Sequence, residues 1–367
     1  MNKKVTLITI NSEQELTGGG HYLRCLINGY EKVTDELTIV SKFDNKANFS
    51  FQCNTLFTHL KKSFLPEIVS RLLLCPSFLL FYFPKIFKQC IQSDIIALHS
   101  SRLGMLSLFL SIAFPKKKIF CHFDNVEYLL LKSRVAKPSF TLKYIVNILD
   151  FILISMSEKL CVKFSDECSF ITISDANYFD KNDFIIPICY EKSTSVELSN
   201  SSGDYYLFTA SFDFEPNIDA LNSFVEIANS HPSLKFVAAG RNLKIFNYDH
   251  VSNLTLIDSP TVSRMEDIFI NAKGYISCVN FGSGMKTKVA EAMKYGLPVY
   301  ATGNSLVGYE EILHKDYINN YTDLVHLSGL LKLNDGRVFD RQAIYRDFLN
   351  YYTTSRVELV LKRMFAC

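Results

Sequence analysis

Short apolar runs alternate with longer amphipathic stretches along most of this chain. The alternation predicts a parallel, doubly wound sheet, because strands joined to helices by short loops pack in that way. Strands are predicted at 5–10, 94–99, 118–122, 169–174, 184–187, 205–210, 234–239, 254–257 and 275–279, and helices at 103–114, 140–164, 261–270, 321–331 and 338–365. Residues 41–63 are polar and predict nothing definite.

A polar segment separates two such series of elements. Residues 191–204 are rich in serine, threonine and asparagine, a composition typical of a linker. The 367 residues suit two domains of ordinary size. We therefore predict one domain over 1–190 and a second that begins at 205.

The charge balance differs between the halves. Residues 1–190 carry 22 Lys or Arg against 17 Asp or Glu, although the whole chain has a net charge of only +2. The overall balance excludes a general affinity for nucleic acid, whereas the first half is a candidate for contact with an anionic surface. The Leu- and Phe-rich stretch 64–83, which prolines and charges interrupt, fits either helices at a membrane interface or core helices.

Targeting signals are not evident in the sequence. The apolar part of the first ten residues is too short for a signal peptide, and no charge-free apolar run reaches the roughly 20 residues that a membrane span needs. The ten cysteines are scattered without a CxxC pair, which indicates free thiols in a reducing compartment. A cytoplasmic protein is the expectation.

Polar residues follow two of the predicted strands in the first half. Gly18, Gly19 and Gly20 precede a helix predicted from His21, without the GxGxxG spacing of dinucleotide sites. They form either a ligand loop or a simple turn. His122 is followed by Asp124 and Asn125 at a carboxyl strand edge, where α/β folds bind ligands. A lone histidine at such a position is otherwise usually structural.

Residues 281–299 contain the largest cluster of candidate ligand-binding residues in the sequence, and their pattern predicts a loop, a helix and a strand. Gly282 and Gly284 permit a tight turn, and the following helix start offers free N–H groups and partial positive charge beside Lys286 and Lys288. A phosphate would fit there, although Lys288 and Glu291 equally suit an ordinary surface ion pair. The spacing is not that of a P-loop.

The second half resembles the GT-B glycosyltransferases of the group-1, or family 4, class. The resemblance rests on the phrase Gly282-Ser283-Gly284, Lys288-Val289, Glu291-Ala292-Met293 and Gly296-Leu297-Pro298-Val299. Pro216-Asn217 with Asp219-Ala220 is similar to the family's second-domain opening. The resemblance implies two Rossmann-like doubly wound parallel-sheet domains facing a cleft. It also implies an acceptor domain at 1–190, a donor domain at 205–337, and helices at 338–367 that cross back to the first domain.

The resemblance also implies site residues and a substrate. The co-substrate would be a nucleotide-sugar, with no further cofactor and no metal. Lys288 would face the diphosphate and Glu291 the ribose hydroxyls, while Arg241 is either near the nucleotide or solvated. Expected catalytic residues are His122 and Lys288; expected donor-binding residues are Gly19, Gly20, Arg241, Gly282, Ser283, Gly284, Met285, Lys286, Thr287 and Glu291; expected acceptor-binding residues are His21, Asp124 and Asn125.

Three features qualify this expectation. The family's Arg/Lys pair is missing from 211–217, and the first glutamate of its Glu-x7-Glu pair falls on Ser283, so the donor sugar cannot be carried over. The chain contains no Asp-x-Asp, which disfavours a metal-chelating site. We expect a retaining, metal-independent hexosyltransferase that acts on a glycan or lipid-linked acceptor in bacterial lipopolysaccharide or capsule assembly, peripheral to the inner membrane face. A nucleotide-sugar epimerase and an inactive subunit that supports a partner transferase are the alternatives.

Overall fold

A computed structural model describes residues 3–15, 18–42, 49–58, 73, 76, 79, 81–136, 138, 141–181, 184–192, 203–282 and 284–367. Within it, the chain forms two compact units. One comprises Met1–Ile188 together with Thr354–Cys367, and the other comprises Cys189–Thr353. Most of the predicted linker 191–204 and most of the apolar stretch 64–83 lie outside the described residues.

The first unit is built on a six-stranded parallel sheet. The strands are β1 Lys4–Thr9, β2 Glu36–Lys42, β3 Asn54–Thr58, β4 Ile95–His99, β5 Lys118–Phe123 and β6 Glu167–Phe170. They lie in the order β3-β2-β1-β4-β5-β6. The order reverses between β1 and β4, and in open α/β sheets ligands bind outside the carboxyl ends of strands at such a point.

Helices pack against this sheet, and apolar side chains from both the strands and the helices form the core between them. Ile96, Leu98, Leu106 and Leu110 are wholly or almost wholly buried in its core. The helices are α1 Gly18–Val33, α2 Phe83–Gln92, α3 Gly104–Ala113, α4 Glu127–Val135, α5 Leu142–Phe164, α6 Ile173–Tyr178 and, from the chain end, α12 Thr354–Ala366. The helix α12 packs on α1, and α3 packs on α5.

The second unit repeats this architecture with six parallel strands. The strands are β7 Tyr205–Ser211, β8 Lys235–Arg241, β9 Leu254–Asp258, β10 Ala272–Ser277, β11 Val299–Thr302 and β12 Ile318–Tyr321, and the helices are α7 Glu215–Ser230, α8 Val262–Ile270, α9 Thr287–Lys294, α10 Leu324–Leu333 and α11 Arg341–Tyr351. The strand order is β12-β11-β10-β7-β8-β9, and it reverses between β7 and β10. Two doubly wound parallel sheets are therefore confirmed.

Several element boundaries differ from the predictions, and side-chain caps explain three of them. Thr172 accepts a hydrogen bond from the amide of Asp175 at 3.0 Å and starts α6 where a strand was predicted to continue. Asp323 and Asp340 cap α10 and α11 in the same way, at 2.8 and 3.0 Å from the amides of His326 and Ala343. The strands β2 and β3 were missed. β3 lies within the polar stretch 41–63, whereas β2 lies almost entirely before it, and its buried Leu37, Ile39 and Val40 are an apolar run that is itself a strand signal.

The predicted terminal helix at 338–365 is two helices that belong to different units. The helix α11 packs on α9 within the second unit, and only α12 joins the first unit, where Lys3 Nζ donates to the carbonyl of Phe365 at 3.2 Å. Among the described helices, none is both long enough and apolar enough to cross a membrane. The nine described cysteines are free thiols.

Candidate functional site

The glycine loop of the second unit follows β10, at the point where the strand order of that sheet reverses. Gly282 and Gly284 have φ angles of 107° and 74°, which side chains other than glycine rarely adopt. The loop leads directly to α9, in which the amide of Val289 donates to the Lys286 carbonyl at 3.1 Å, whereas the amides of Thr287 and Lys288 have no earlier helical turn whose carbonyl they could reach. The predicted turn before a helix start is therefore present. Ser283 lies outside the described residues.

Lys286 holds this loop closed. Its ammonium donates to the carbonyl oxygens of Gly282 at 3.1 Å and Gly284 at 2.9 Å. The side-chain amide of Asn304 donates to the same Gly282 carbonyl at 3.2 Å, while Met285 is buried beneath the loop. The ammonium of Lys286 was expected to bind a phosphate. In this arrangement it instead stabilises the backbone of the loop.

Two tyrosine hydroxyls bond to the backbone at the start of α9. Tyr309 donates to the carbonyl of Lys286 at 2.8 Å and accepts from the amide of Ala290 at 2.9 Å. Tyr190 donates to the carbonyl of Thr287 at 3.2 Å. Sequence reasoning missed both residues, because a tyrosine far along the chain carries no local signal that it reaches a helix start.

Lys288 and Glu291 form an ion pair one helical turn apart. Their side chains are 38% and 18% exposed, so both remain partly open to solvent. The sequence left two possibilities for these residues, a donor site and a surface pair, and the pairing is compatible with each. A diphosphate could compete for the lysine because the ammonium is a mobile point charge on a flexible stem.

Arg241 ends β8 at the carboxyl edge of the same sheet and is already paired. Its guanidinium donates to Ser211 Oγ at 3.1 Å and to Asp213 Oδ2 at 3.0 Å. The hydroxyl of Ser211, followed by Arg241, holds the pKa of the Asp213 carboxyl below its usual range. Asp213 therefore competes with any nucleotide for Arg241, although both side chains are largely exposed.

The triple glycine of the first unit lies inside α1, which begins at Gly18 rather than at His21. A Cβ on Gly20 would meet the carbonyl oxygen of Glu15 at 2.4 Å, so close backbone approach requires glycine there. A Cβ on Gly19 would meet Asn11 Nδ2 at 2.5 Å. The thiol of Cys25, one turn along the same helix, lies 3.9 Å from His21 Nε2.

His122 is wholly buried within β5, one residue before the strand ends. Its Nε2 lies 2.6 Å from the hydroxyl of Tyr30, and its Nδ1 lies 2.6 Å from Ser169 Oγ. Burial, with His99 nearby, lowers its pKa to about 3, so the ring is neutral at physiological pH. These contacts are those of a structural histidine, and the catalytic role implied by the resemblance stays a prediction.

His99 occupies the corresponding position on the neighbouring strand β4 and was missed. Its Nδ1 lies 2.8 Å from Thr9 Oγ1, its Nε2 has no partner within the described residues, and burial lowers its pKa to about 3. The next residue, Ser100, has a φ of 108°. The rule that drew attention to His122, a histidine at a strand end, applies equally to His99.

Two carboxyl groups lie near this edge, the half-buried Asp124 and the fully buried Glu158. Burial raises the pKa of Asp124 to about 7, and its Oδ1 has no partner in the described structure. Burial likewise raises the pKa of Glu158, on α5, to about 7. Glu158 Oε1 accepts from Ser101 Oγ and from the amide of Tyr128, each at 3.3 Å. It thus caps α4, which starts directly after Asp124 and Asn125.

Metal binding would need several ligating side chains in one place. Within the described residues, no group of three or more His, Cys, Asp or Glu side chains could hold a metal ion. The cationic side chains expected at the donor site are those of Lys286, Lys288 and Arg241, and each of them is paired as described above.

Solved structures show what this architecture is similar to. The lipopolysaccharide outer core galactosyltransferase WaaB matches with a TM-score of 0.66 and 12% identity over 99% of both chains. Anabaena Alr3699/HepE, solved with UDP, matches with a TM-score of 0.65 and 11% identity, also over 99% of both chains. This chain has the GT-B fold of glycosyltransferases. The GT-B chain also matches the N-terminal domain of Candida albicans trehalose-6-phosphate phosphatase, with a TM-score of 0.63, 9% identity and 100% and 97% coverage.

No protein-family model matches the chain, and no curated protein matches it in sequence. At these identities the likeness shows the GT-B fold alone.

Proposed function

We propose that this protein is a glycosyltransferase that moves a sugar from a nucleotide-sugar to a glycan or lipid-linked acceptor. The observation that carries the proposal is the glycine loop and α9 start at the switch point of the second sheet, with Lys288 and Glu291 on the first turns. Helix N-termini favour anions, and a lysine one turn in adds a mobile positive charge. The fold shared with HepE, which was solved with UDP and with UDP-glucose, supports a nucleotide-sugar donor.

The charges of Lys288 and Glu291 assign them different roles in binding the donor. The leaving diphosphate gains charge as its bond to the sugar breaks, so Lys288 and the α9 amides would act mainly in the transition state. A ribose contact by Glu291 would act equally in ground and transition states. Lys288→Ala should therefore lower kcat more than it raises the donor KM, whereas Glu291→Gln should mainly raise the donor KM.

We further propose a retaining mechanism without a metal, in the assembly of a bacterial surface polysaccharide such as lipopolysaccharide or capsule. The likeness to WaaB, a lipopolysaccharide galactosyltransferase, supports the type of pathway. Activity should survive an excess of chelator. Complete loss on chelation, restored by manganese, would contradict a site that depends on Lys288 and helix amides.

The outer face of α3 and α5 supports a peripheral position on anionic membrane. Ile145, Leu149, Ile152 and Met156 form one exposed stripe along α5, and Ile112 on the adjoining α3 is 71% exposed. Residues 83–164 carry twelve Lys or Arg against five Asp or Glu. An exposed apolar stripe within a basic region suits an interface with acidic lipid headgroups.

Sedimentation with vesicles tests the membrane proposal. Vesicles that contain phosphatidylglycerol should bind the protein, and binding should fall with salt, while phosphatidylcholine vesicles should not. Ile145→Glu should weaken binding, whereas Val325→Glu, at an 83% exposed position on α10, should not. Equal binding to both lipids, or equal loss in both variants, would contradict it.

A panel of UDP-, GDP-, ADP- and dTDP-sugars tests the activity. Thermal shift would identify the donor, and slow hydrolysis in the absence of acceptor would reveal sugar transfer to water. Free epimer without transfer would favour an epimerase, and binding without turnover would favour a supporting subunit. No binding to any member of the panel would overturn the proposed function.

A further inference from the structure

The hydroxyl of Tyr309 occupies an unusual place in α9. In a regular helix the amide of Ala290 would donate to the carbonyl of Lys286, four residues earlier. Here that amide donates to Tyr309 Oη at 2.9 Å, and the same hydroxyl donates to the Lys286 carbonyl at 2.8 Å. The side chain thus stands in the first turn of the helix as a bridge between the two backbone groups.

Tyr309 is itself held rigidly. Its side chain is fully buried, and its ring packs on that of Tyr352 with centroids 5.1 Å apart. Tyr309 lies between Gly308, whose amide donates to Glu310 Oε1 at 3.1 Å, and Glu310 itself. Burial raises the pKa of the phenol well above its usual range, so the hydroxyl stays protonated and can donate and accept at once.

The bridge lies between the residues assigned to the donor. Lys288 precedes Ala290 by two residues, and Glu291 follows it directly. The backbone conformation from Lys286 to Ala290 therefore sets the direction in which both side chains project. We propose that Tyr309 is a positioning residue of the donor site, whose hydroxyl fixes the first turn of α9. This inference rests on the proposed function.

Tyr309→Phe removes only the bridging hydroxyl, and Tyr352→Phe is a matched control. Tyr352 is also fully buried, but its hydroxyl has no partner within the described residues. A phenylalanine ring fills nearly the same space as the tyrosine it replaces, so both variants should fold. UDP binding should weaken about tenfold or more in Tyr309→Phe, as expected for the loss of a buried hydrogen bond, and should be unchanged in Tyr352→Phe.

Hydrogen exchange provides a readout independent of the ligand. Amides in 286–294 should exchange faster in Tyr309→Phe than in the parent or in Tyr352→Phe. Parent-like UDP affinity in Tyr309→Phe, or a loss shared equally by both variants, would overturn the positioning role alone. If the parent binds none of the nucleoside diphosphates, including those of guanosine, adenosine and thymidine, the proposed function fails and the inference fails with it.

Discussion

The strand ends of the two units carry polar residues of similar kinds but use them differently. In the first unit His99 and His122 are fully buried, and burial keeps both rings neutral. In the second unit Arg241 ends β8 and Lys288 lies in the first turn of α9; their side chains are 61% and 38% exposed, and each forms an ion pair. Burial thus decides whether a polar residue near the carboxyl edge of a sheet serves the fold or remains available to a ligand.

The largest effect is expected from His122→Ala. The variant leaves a cavity and deprives the Tyr30 and Ser169 hydroxyls of their buried partner, so the free energy of unfolding should fall by about 3–5 kcal/mol. Urea unfolding measures the change, and the exposed His250→Ala is the control. A nearly unchanged stability with strongly reduced turnover would instead establish the catalytic role that the resemblance implies.

The next largest effect is expected in the pH dependence of the free energy of unfolding, compared between the parent and Glu158→Gln. Burial raises the pKa of Glu158 from 4.5 to about 7, so the folded protein holds this proton more tightly than the unfolded chain does. Its contribution to stability is full below pH 4.5 and is lost as the pH rises to 7. Relative to the parent, Glu158→Gln should gain about 1–3 kcal/mol between about pH 4.5 and 7.5.

Unfolding at several pH values checks that difference, with Glu226→Gln at an exposed position as control. A flat difference between parent and Glu158→Gln across this range would show that Glu158 is not buried as an acid.

Arg241→Ala should have the smallest effect on stability. The pair with Asp213 is largely exposed, so its loss should change the free energy of unfolding by no more than about 1 kcal/mol. A double-mutant cycle with Asp213→Ala isolates the pair. A loss of several kcal/mol would mean that this edge, too, is committed to the fold, and reduced UDP affinity would assign Arg241 to the donor.

The sequence predicted most of the parallel strands and the loop before α9, because apolar periodicity and glycine spacing are local signals. It did not predict β3, which lies in a polar stretch, nor the division of 338–365, where a cap at Asp340 and separate packing partners matter. β2 was missed as well, although its buried Leu37, Ile39 and Val40 form a local apolar signal. The sequence could not distinguish the roles of two nearby lysines. Lys286 donates hydrogen bonds to the backbone of the glycine loop, whereas Lys288 forms an ion pair with Glu291. Nor could it place Tyr309, since the contact joins residues 19 and 23 positions apart.

The most direct measurement compares a nucleoside diphosphate with its nucleoside in two variants of α9. If Lys288 meets the diphosphate, Lys288→Ala should weaken binding of UDP, or of the best diphosphate in the panel, but not of the nucleoside. If Glu291 meets the ribose, Glu291→Gln should weaken both ligands equally. Each substitution should make the free energy of binding less favourable by about 1.5–3 kcal/mol.

Lys362→Ala is the control, because it breaks a comparable ion pair with Glu358 on α12. Isothermal calorimetry measures the affinity of the parent and the three variants for each of the two ligands. We expect Lys288→Ala to lose affinity for the diphosphate only, Glu291→Gln to lose affinity for both ligands equally, and Lys362→Ala to lose affinity for neither. Parent-like binding of both ligands by both α9 variants would show that the segment is only a helix start with a surface ion pair.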